Sequence, residues 1–252
     1  METGWAAAAG ASALVLRDRT FGGFEASDAD VTALVIDGPD GHHLQRVRRL
    51  GVDEIVVIAD GAGEWYLSRV VEVGDGTLTV TPAGAVQSEP QPHPRISVAF
   101  APAKRDHGAD VVRHLVELGV DRLIPLITRR GVVRWDGERG DKAWTRLSGA
   151  IREAAVQSHR ATLPVLEQPV EVGQLAQESG LLLADRAGRA VQDLVPSGAT
   201  EWLVLIGPEG GFDRAELAAL ESATRVRVGP HILRSVTAPV AMAAALVSLR
   251  PV

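Results

Sequence analysis

The chain contains no cysteine, which excludes disulfide staples and thiolate metal sites and leaves the compartment open on that ground. It has no apolar run near the ~20 residues that a membrane-crossing helix needs. The alanine-rich opening, Trp5 to Ala13, lacks a basic segment ahead of it and carries Glu2 at its head. It therefore reads as a frayed tail over residues 1–12 rather than a signal peptide, and the expected compartment is the cytoplasm. No Gly-Lys-Ser/Thr follows a glycine-rich loop, and no Gly-x-Gly-x-x-Gly opens a strand–helix unit, so a Walker loop and a dinucleotide fingerprint are both excluded. His42 and His43 are adjacent and point apart, and no His-x-x-x-His occurs, so no metal site is expected. Ser158-His159 lacks the setting of a nucleophile elbow, which disfavours a hydrolase.

What is present is an ordinary soluble composition over 252 residues, 46% apolar and 23% charged, enough for one large domain or two small ones. The net charge of −6 is unevenly spread. Residues 1–90 hold 6 basic and 14 acidic side chains, a net of −8, whereas residues 91–252 hold 20 and 18, a net of +2. Residues 122–160 concentrate 9 basic side chains against 4 acidic ones, among them Arg129, Arg130, Arg134 and Arg160. A second cluster, His42, His43, Arg46, Arg48 and Arg49, stands out in the acidic front part. Local basic patches matter more than the total for a polyanionic partner.

The segment Gln87–Pro94, polar and with three prolines, reads as a linker between domains at 13–88 and 94–252. In front of it, short β-prone runs (Leu14–Leu16, Val31–Ile36, Glu54–Ala59, Trp65–Glu72, Thr77–Thr81) separated by Asp-Gly and Gly-Asp-Gly turns predict a small β-barrel. His42–Leu50 interrupts them as a helical turn with Leu44, Val47 and Leu50 on one side. Behind the linker, strand and helix alternate. Strands are expected at Arg95–Ala101, Arg122–Ile127, Leu181–Ala184, Trp202–Ile206 and Arg225–Val228. Helices are expected at Asp110–Leu118, Asp141–Ser158, from the capping residue Asp213, and at Ala241–Leu249 behind Thr237 and Pro239. This is an α/β domain with at least five strands in a parallel sheet.

Two strand exits dominate the reading. One is Leu205-Ile206-Gly207-Pro208-Glu209-Gly210-Gly211-Phe212; the other is Val228-Gly229-Pro230-His231-Ile232-Leu233-Arg234-Ser235. Glycine lets a ligand approach the backbone and proline stiffens the turn. Ligands gather at the C-terminal strand ends of open α/β sheets. A ligand there would be held by Leu205, Ile206, Gly207, Glu209, Gly210, Gly211, Val228, Ile232, Leu233, Ser235 and Ala238.

The motifs H-H-L-Q-R-V-R-R-L (42–50), E-L-G-V-D-R-L-I-P-L (117–126), E-A-A-V-Q-S-H-R (153–160), L-I-G-P-E-G-G-F (205–212) and V-G-P-H-I-L-R-S-V-T-A (228–238) occur in an order that resembles the ribosomal RNA small subunit methyltransferase E family. The resemblance spans nearly the whole chain. It implies a SPOUT-type C-terminal domain with a trefoil knot, preceded by a PUA-like barrel that binds RNA. It also implies S-adenosylmethionine as cofactor, methylation of a uridine N3 in 16S ribosomal RNA, free or in the small ribosomal subunit, and a homodimer. Arg234 is then the candidate catalytic residue, because a guanidinium stabilises negative charge developing on a uracil ring. Arg46, Arg48, Arg49, Arg129, Arg130, Gln157 and Arg160 are candidate RNA contacts. The chain departs from the usual family residues at His114, Val156, His231 and Val236. Val156 and Val236, where the family often has Glu, motivate a second reading as a non-catalytic RNA-binding or ribosome-assembly protein of the same fold, and a SPOUT methyltransferase acting on another RNA is a third.

Overall fold

The computed structural model describes residue 11, residues 13–16 as backbone, and residues 33–102, 107–133, 135–194 and 198–251. Residues 1–10, Val31 and Arg134 lie outside the described residues. The chain forms two compact units, residues 1–91 with 155–163, and residues 92–154 with 164–252.

In the first unit, β1 (Ala13–Leu16), β2 (Leu34–Ile36), β3 (Ile55–Ala59), β4 (Glu64–Val73) and β5 (Leu78–Pro82) pair in the order β1-β3-β4-β5-β2. The β3–β4 hairpin is set by its turn chemistry: Asp60 accepts from the N–H groups of Ala62 (2.7 Å) and Glu64 (2.9 Å), while Gly61 and Gly63 take positive φ. Ile36, Leu44, Val56, Ile58, Val70, Leu78 and Val80 form the core. The helical segment begins earlier than expected, as α1 (Gly38–His42) running into a π-helical turn, His43–Val47. The Arg48 N–H donates to the His43 carbonyl at 3.0 Å, five residues back. That wider turn keeps Leu44 and Leu50 buried but leaves Val47 64% exposed, against the expected apolar face.

The linker opens with a two-residue strand, β6 (Gln87–Ser88), paired to β4. Residues 155–163, read from the sequence as part of the second domain with its helix ending at Ser158, belong to this first unit. The Leu163 N–H donates to the Gly61 carbonyl at 2.7 Å, and Thr162 Oγ1 donates to Glu89 Oε2 at 3.0 Å.

The second unit is a sheet of seven strands, all pairings parallel: β7 (Arg95–Phe100), β8 (Arg122–Ile127), β9 (Val165–Leu166), β10 (Val170–Glu171), β11 (Leu181–Ala190), β12 (Glu201–Ile206) and β13 (Thr224–Arg227). The order is β10-β8-β7-β12-β11-β13, with β9 also on β8. The runs Ile96–Phe100, apolar except for Ser97, and Trp202–Ile206 are buried throughout, as parallel strands require. Helix α2 (His107–Glu117) ends at Gly119, φ +82, in the C-terminal position that favours glycine. Helix α3 (Gly137–Gln157) starts four residues ahead of its expected N-terminus. Its Gly140 is required there, because a Cβ would sit 2.5 Å from the Trp135 carbonyl oxygen. Helices α4 (Arg214–Ala219) and α5 (Thr237–Ser248) complete the unit. Among the described residues no helix is long and apolar enough to cross a membrane.

Charge organises the N-terminal edge of the sheet. Arg122 bonds Glu167 (2.7 Å), Glu201 (3.2 Å) and Glu178 (3.3 Å), and Ser97 donates to Glu201. Arg250 bridges Asp121 and the carbonyls of Pro94 and Gly119. Burial works to lower the Arg122 pKa, but its hydrogen bonds to Glu167 and Glu178, the Glu167 charge and the Glu201 hydrogen bond outweigh that and raise it. Replacing Arg122 with Met leaves these carboxylates facing one another with only partial solvent access. The expected loss is about 2 kcal/mol, below the range for fully buried pairs because the glutamates are partly exposed. Urea denaturation checks this, and a change within about 0.5 kcal/mol, the scale of an ordinary surface substitution, would contradict it.

Candidate cofactor and RNA site

At the opposite edge, three chain segments leave neighbouring strands. The first leaves β12 at Ile206. Its turn closes through the Gly211 N–H to the Pro208 carbonyl at 2.8 Å, with Gly211 at φ +68. Phe212 then drops into the core at 8% exposure, and Asp213 caps α4 in a reciprocal box with Glu216 (2.7 and 2.8 Å).

The second segment leaves β13 at Arg227 and runs to α5, whose first turn is closed by the Arg234 carbonyl accepting from the N–H groups of Thr237 and Ala238, both at 2.9 Å. The third is a bulge in β11. Ala184 and Arg189 both lie opposite Val226, so residues 185–188 loop out of the ladder. Gly188 makes this possible, since a Cβ there would meet the Val226 nitrogen at 2.4 Å. The bulge is held by Asp185, which accepts from Ala187 N–H (2.9 Å) and Arg225 (2.8 Å), and by Arg227 donating to the Gly188 carbonyl (2.8 Å).

These segments enclose a cavity of about 380 Å³. Nine of the eleven residues expected to hold a ligand line it: Ile206, Gly207, Glu209, Gly211, Val228, Ile232, Leu233, Ser235 and Ala238. Leu205 does not, being fully buried in the core, and Gly210 does not, because it faces Arg130. Ser235 Oγ lies 3.4 Å from Glu209 Oε1, so one hydroxyl–carboxylate contact spans the two predicted loops. Leu183 and Ala184 from β11, Asp185 and Arg186 from its bulge and Met242 from α5 also line the cavity and were not anticipated. The Asp-Arg-Ala-Gly string after the apolar Leu181–Leu183 run is the signal that could have marked the bulge.

The candidate catalytic Arg234 is exposed and does not line the cavity; its side chain makes no hydrogen bond or ion pair among the described residues. Of the candidate RNA contacts, Arg129 and Arg130 are exposed on the loop after β8, in the second unit. Arg46, Arg48, Arg49, Gln157 and Arg160 all fall in the first unit. Arg46 pairs with Asp75 at 2.6 Å on an exposed surface, and Arg49 takes φ 56. A second cavity, of about 360 Å³, lies between α2 and α5, and two of the atypical positions, His114 and Val236, line it. Among the described residues no cluster of three or more His, Asp or Glu could hold a metal ion.

The sequence profile of the RNA methyltransferase domain matches residues 89–247, and that of the RNA methyltransferase PUA domain matches residues 36–83. The ribosomal RNA small subunit methyltransferase E of Mycobacterium bovis is 34% identical over 215 residues, covering 81% of this chain and 82% of that protein. The chain belongs to this family. The Synechocystis enzyme of the same name is 30% identical over 210 residues, covering 79% of this chain and 67% of that protein. A Legionella pneumophila protein solved with S-adenosylmethionine bound superposes with a TM-score of 0.79 at 25% identity, over 93% of this chain and 96% of that one. The family's α/β methyltransferase domain and PUA-like domain thus account for the parallel sheet and the smaller β unit.

The glycines of the first loop are not equivalent. A Cβ on Gly207 would sit 3.1–3.4 Å from the Phe212 ring, which the core holds in place; on Gly210 it would meet only the Arg130 stem at 3.4–4.0 Å. Gly207→Val should therefore destabilise the protein by roughly 1–3 kcal/mol, the range for overpacking. Gly210→Ala should cost under about 0.5 kcal/mol, as at unconstrained sites. Denaturant melts of both variants compare the two, and equal losses would contradict the distinction.

Proposed function

We propose that the protein methylates N3 of a uridine in 16S ribosomal RNA, using S-adenosylmethionine bound in the cavity between the exits of β11, β12 and β13. The observation that carries this reading is the convergence of the two glycine-bearing loops on one cavity, joined by Ser235 and Glu209. The residues fit the cofactor. Ile206, Val228, Ile232 and Leu233 offer apolar walls for an adenine, and Gly207 and Gly211 leave the backbone open to close approach. Glu209 offers a carboxylate to ribose hydroxyls or a positive sulfonium. When bound, S-adenosylmethionine supplies an electrophilic methyl group.

The remaining chemistry falls to the chain. To take the methyl group, uracil N3 must give up its proton to solvent, and negative charge develops on the ring. Arg234 is the residue assigned to that charge. Its guanidinium is not committed to an ion pair among the described residues, while its carbonyl is fixed at the start of α5. Arg46, Arg48, Arg49 and Arg129 are assigned to RNA phosphates. The exposed Arg46–Asp75 pair costs little to exchange for a phosphate. The reading includes a trefoil knot in the second unit, as the family resemblance implies. It also includes a cytoplasmic homodimer. Of the α5 residues considered for a subunit interface, Ala243 is spent on the chain's own core, whereas Val240, Ala244 and Val247 remain half-exposed.

Purified protein, S-adenosylmethionine and unmodified 16S RNA or small subunits test the reading. Nucleoside analysis should yield 3-methyluridine, and primer extension should stop at one uridine because the methyl blocks base pairing. Methylation of another nucleoside, or of transfer RNA alone, would replace this target. Arg234→Ala should lower the methylation rate by roughly 10² or more while cofactor affinity stays near wild type, and Arg234→Lys should restore only part of it. Weakened cofactor binding with normal turnover at saturation would instead make Arg234 part of the cofactor loop.

A further inference from the structure

We propose that Arg130 is a positioning residue that fixes the glycine loop of the cofactor cavity, rather than a ligand of RNA phosphate; this rests on the reading that the cavity receives S-adenosylmethionine. Arg129 and Arg130 are adjacent and both exposed, yet they are used differently. The Arg129 side chain makes no hydrogen bond or ion pair among the described residues, and only its backbone N–H is engaged, donating to Glu216 Oε1 at 2.8 Å. The Arg130 guanidinium donates through Nη1 to the Gly210 carbonyl at 2.7 Å, and its aliphatic stem covers the Gly210 Cα.

The peptide group that Arg130 holds is the one between Gly210 and Gly211. Its N–H end is fixed on the Pro208 carbonyl at 2.8 Å, and among the described residues its C=O end is fixed only by Arg130. Rotation of a peptide flanked by two glycines meets no Cβ on either side, so its orientation is weakly determined by local sterics. Gly207, Pro208, Glu209, Gly211 and Phe212 face the cavity, and Gly210 alone of this stretch does not. The turn therefore has a cavity face and an Arg130 face. A guanidinium on the second face sets the plane of the peptide that shapes the first.

The attachment is doubled next to Phe212. Glu216 accepts the Arg129 N–H on one oxygen and the Asp213 N–H (2.7 Å) on the other, so a single carboxylate joins the β8 exit to the β12 exit. Strand β7 separates β8 from β12 in the sheet, so no backbone ladder ties these two loops. Among the described residues, the Arg130 guanidinium and the Glu216 carboxylate tie them instead.

Calorimetric titration of the full-length protein with S-adenosylmethionine, without RNA, tests the proposal. Arg130→Met keeps the stem and removes the donor; it should weaken cofactor binding roughly fivefold to tenfold, the scale of one charged hydrogen bond partly screened by solvent. Arg130→Lys restores a donor and should return affinity to within about threefold of wild type. Both variants should melt at the wild-type temperature. Arg130→Met should also leave the salt dependence of RNA binding unchanged, where loss of a phosphate ligand would flatten the slope by about 0.7–0.9. Ala238→Leu, which fills the cavity from α5, is the control on the underlying reading. If Ala238→Leu abolishes binding and Arg130→Met does not alter it, the positioning role fails alone. If neither variant alters binding, the cavity is not the cofactor's. A flattened salt slope with unchanged cofactor affinity makes Arg130 a phosphate ligand, and a lowered melting temperature that tracks the affinity loss makes it a merely structural residue; either overturns the proposal.

Discussion

The pairing of β11 with both β12 and β13 is the constraint on which the site depends. Leu181–Leu183 run beside Leu203–Leu205 on one side, and Leu182–Ala184 beside Thr224–Val226 on the other. Three parallel strands side by side release their chains at the same edge, so their exits must share one volume. The β11 bulge adds a third wall, and it exists only because Gly188 lets residues 185–188 leave the ladder against the backbone of Arg225 and Val226. The opposite edge is closed by Arg122, Arg250 and their carboxylates, so charge holds the strand beginnings while the strand ends are left to loops.

Several residues serve the core and the site together. Phe212 packs with Leu183, Leu205 and Leu220, and the same ring sits under Gly207 and borders the cavity. Glu216 caps α4 and at the same time fixes the loop after β8. Ser235 and Glu209 meet across the cavity mouth while their neighbours Thr237 and Gly211 close the local turns. Preorganisation of this kind lets backbone groups bind a ligand without first having to be ordered.

Much of this was legible in the sequence, because local rules govern it. Strand β8 has the predicted ends, Arg122 and Ile127, and the Asp213–Glu216 capping box and the Gly119 helix stop are as the residues imply. The glycine-proline exits pointed to the cavity wall. What escaped depends on distant partners. The two-residue strands β6, β9 and β10 have no periodicity to reveal them and exist only as partners of longer strands. Residues 155–158 continue a helix pattern, yet residues 155–163 belong to the β unit, where Gly61 and Glu89 accept from Leu163 and Thr162. Gly210 reads like its neighbouring glycines, and only the position of Arg130, 80 residues earlier, shows that it faces away from the cavity.

The central claim is that one cavity, built from the exits of β11, β12 and β13, receives the methyl donor. A crystal structure of the protein grown with S-adenosylmethionine tests it most directly. The account predicts the ligand between Ile206–Gly211 and Val228–Ala238, with its adenine against Val228, Ile232 or Leu233 and the bulge at Asp185 closing one side. A ligand held elsewhere, or in the cavity between α2 and α5, would contradict it.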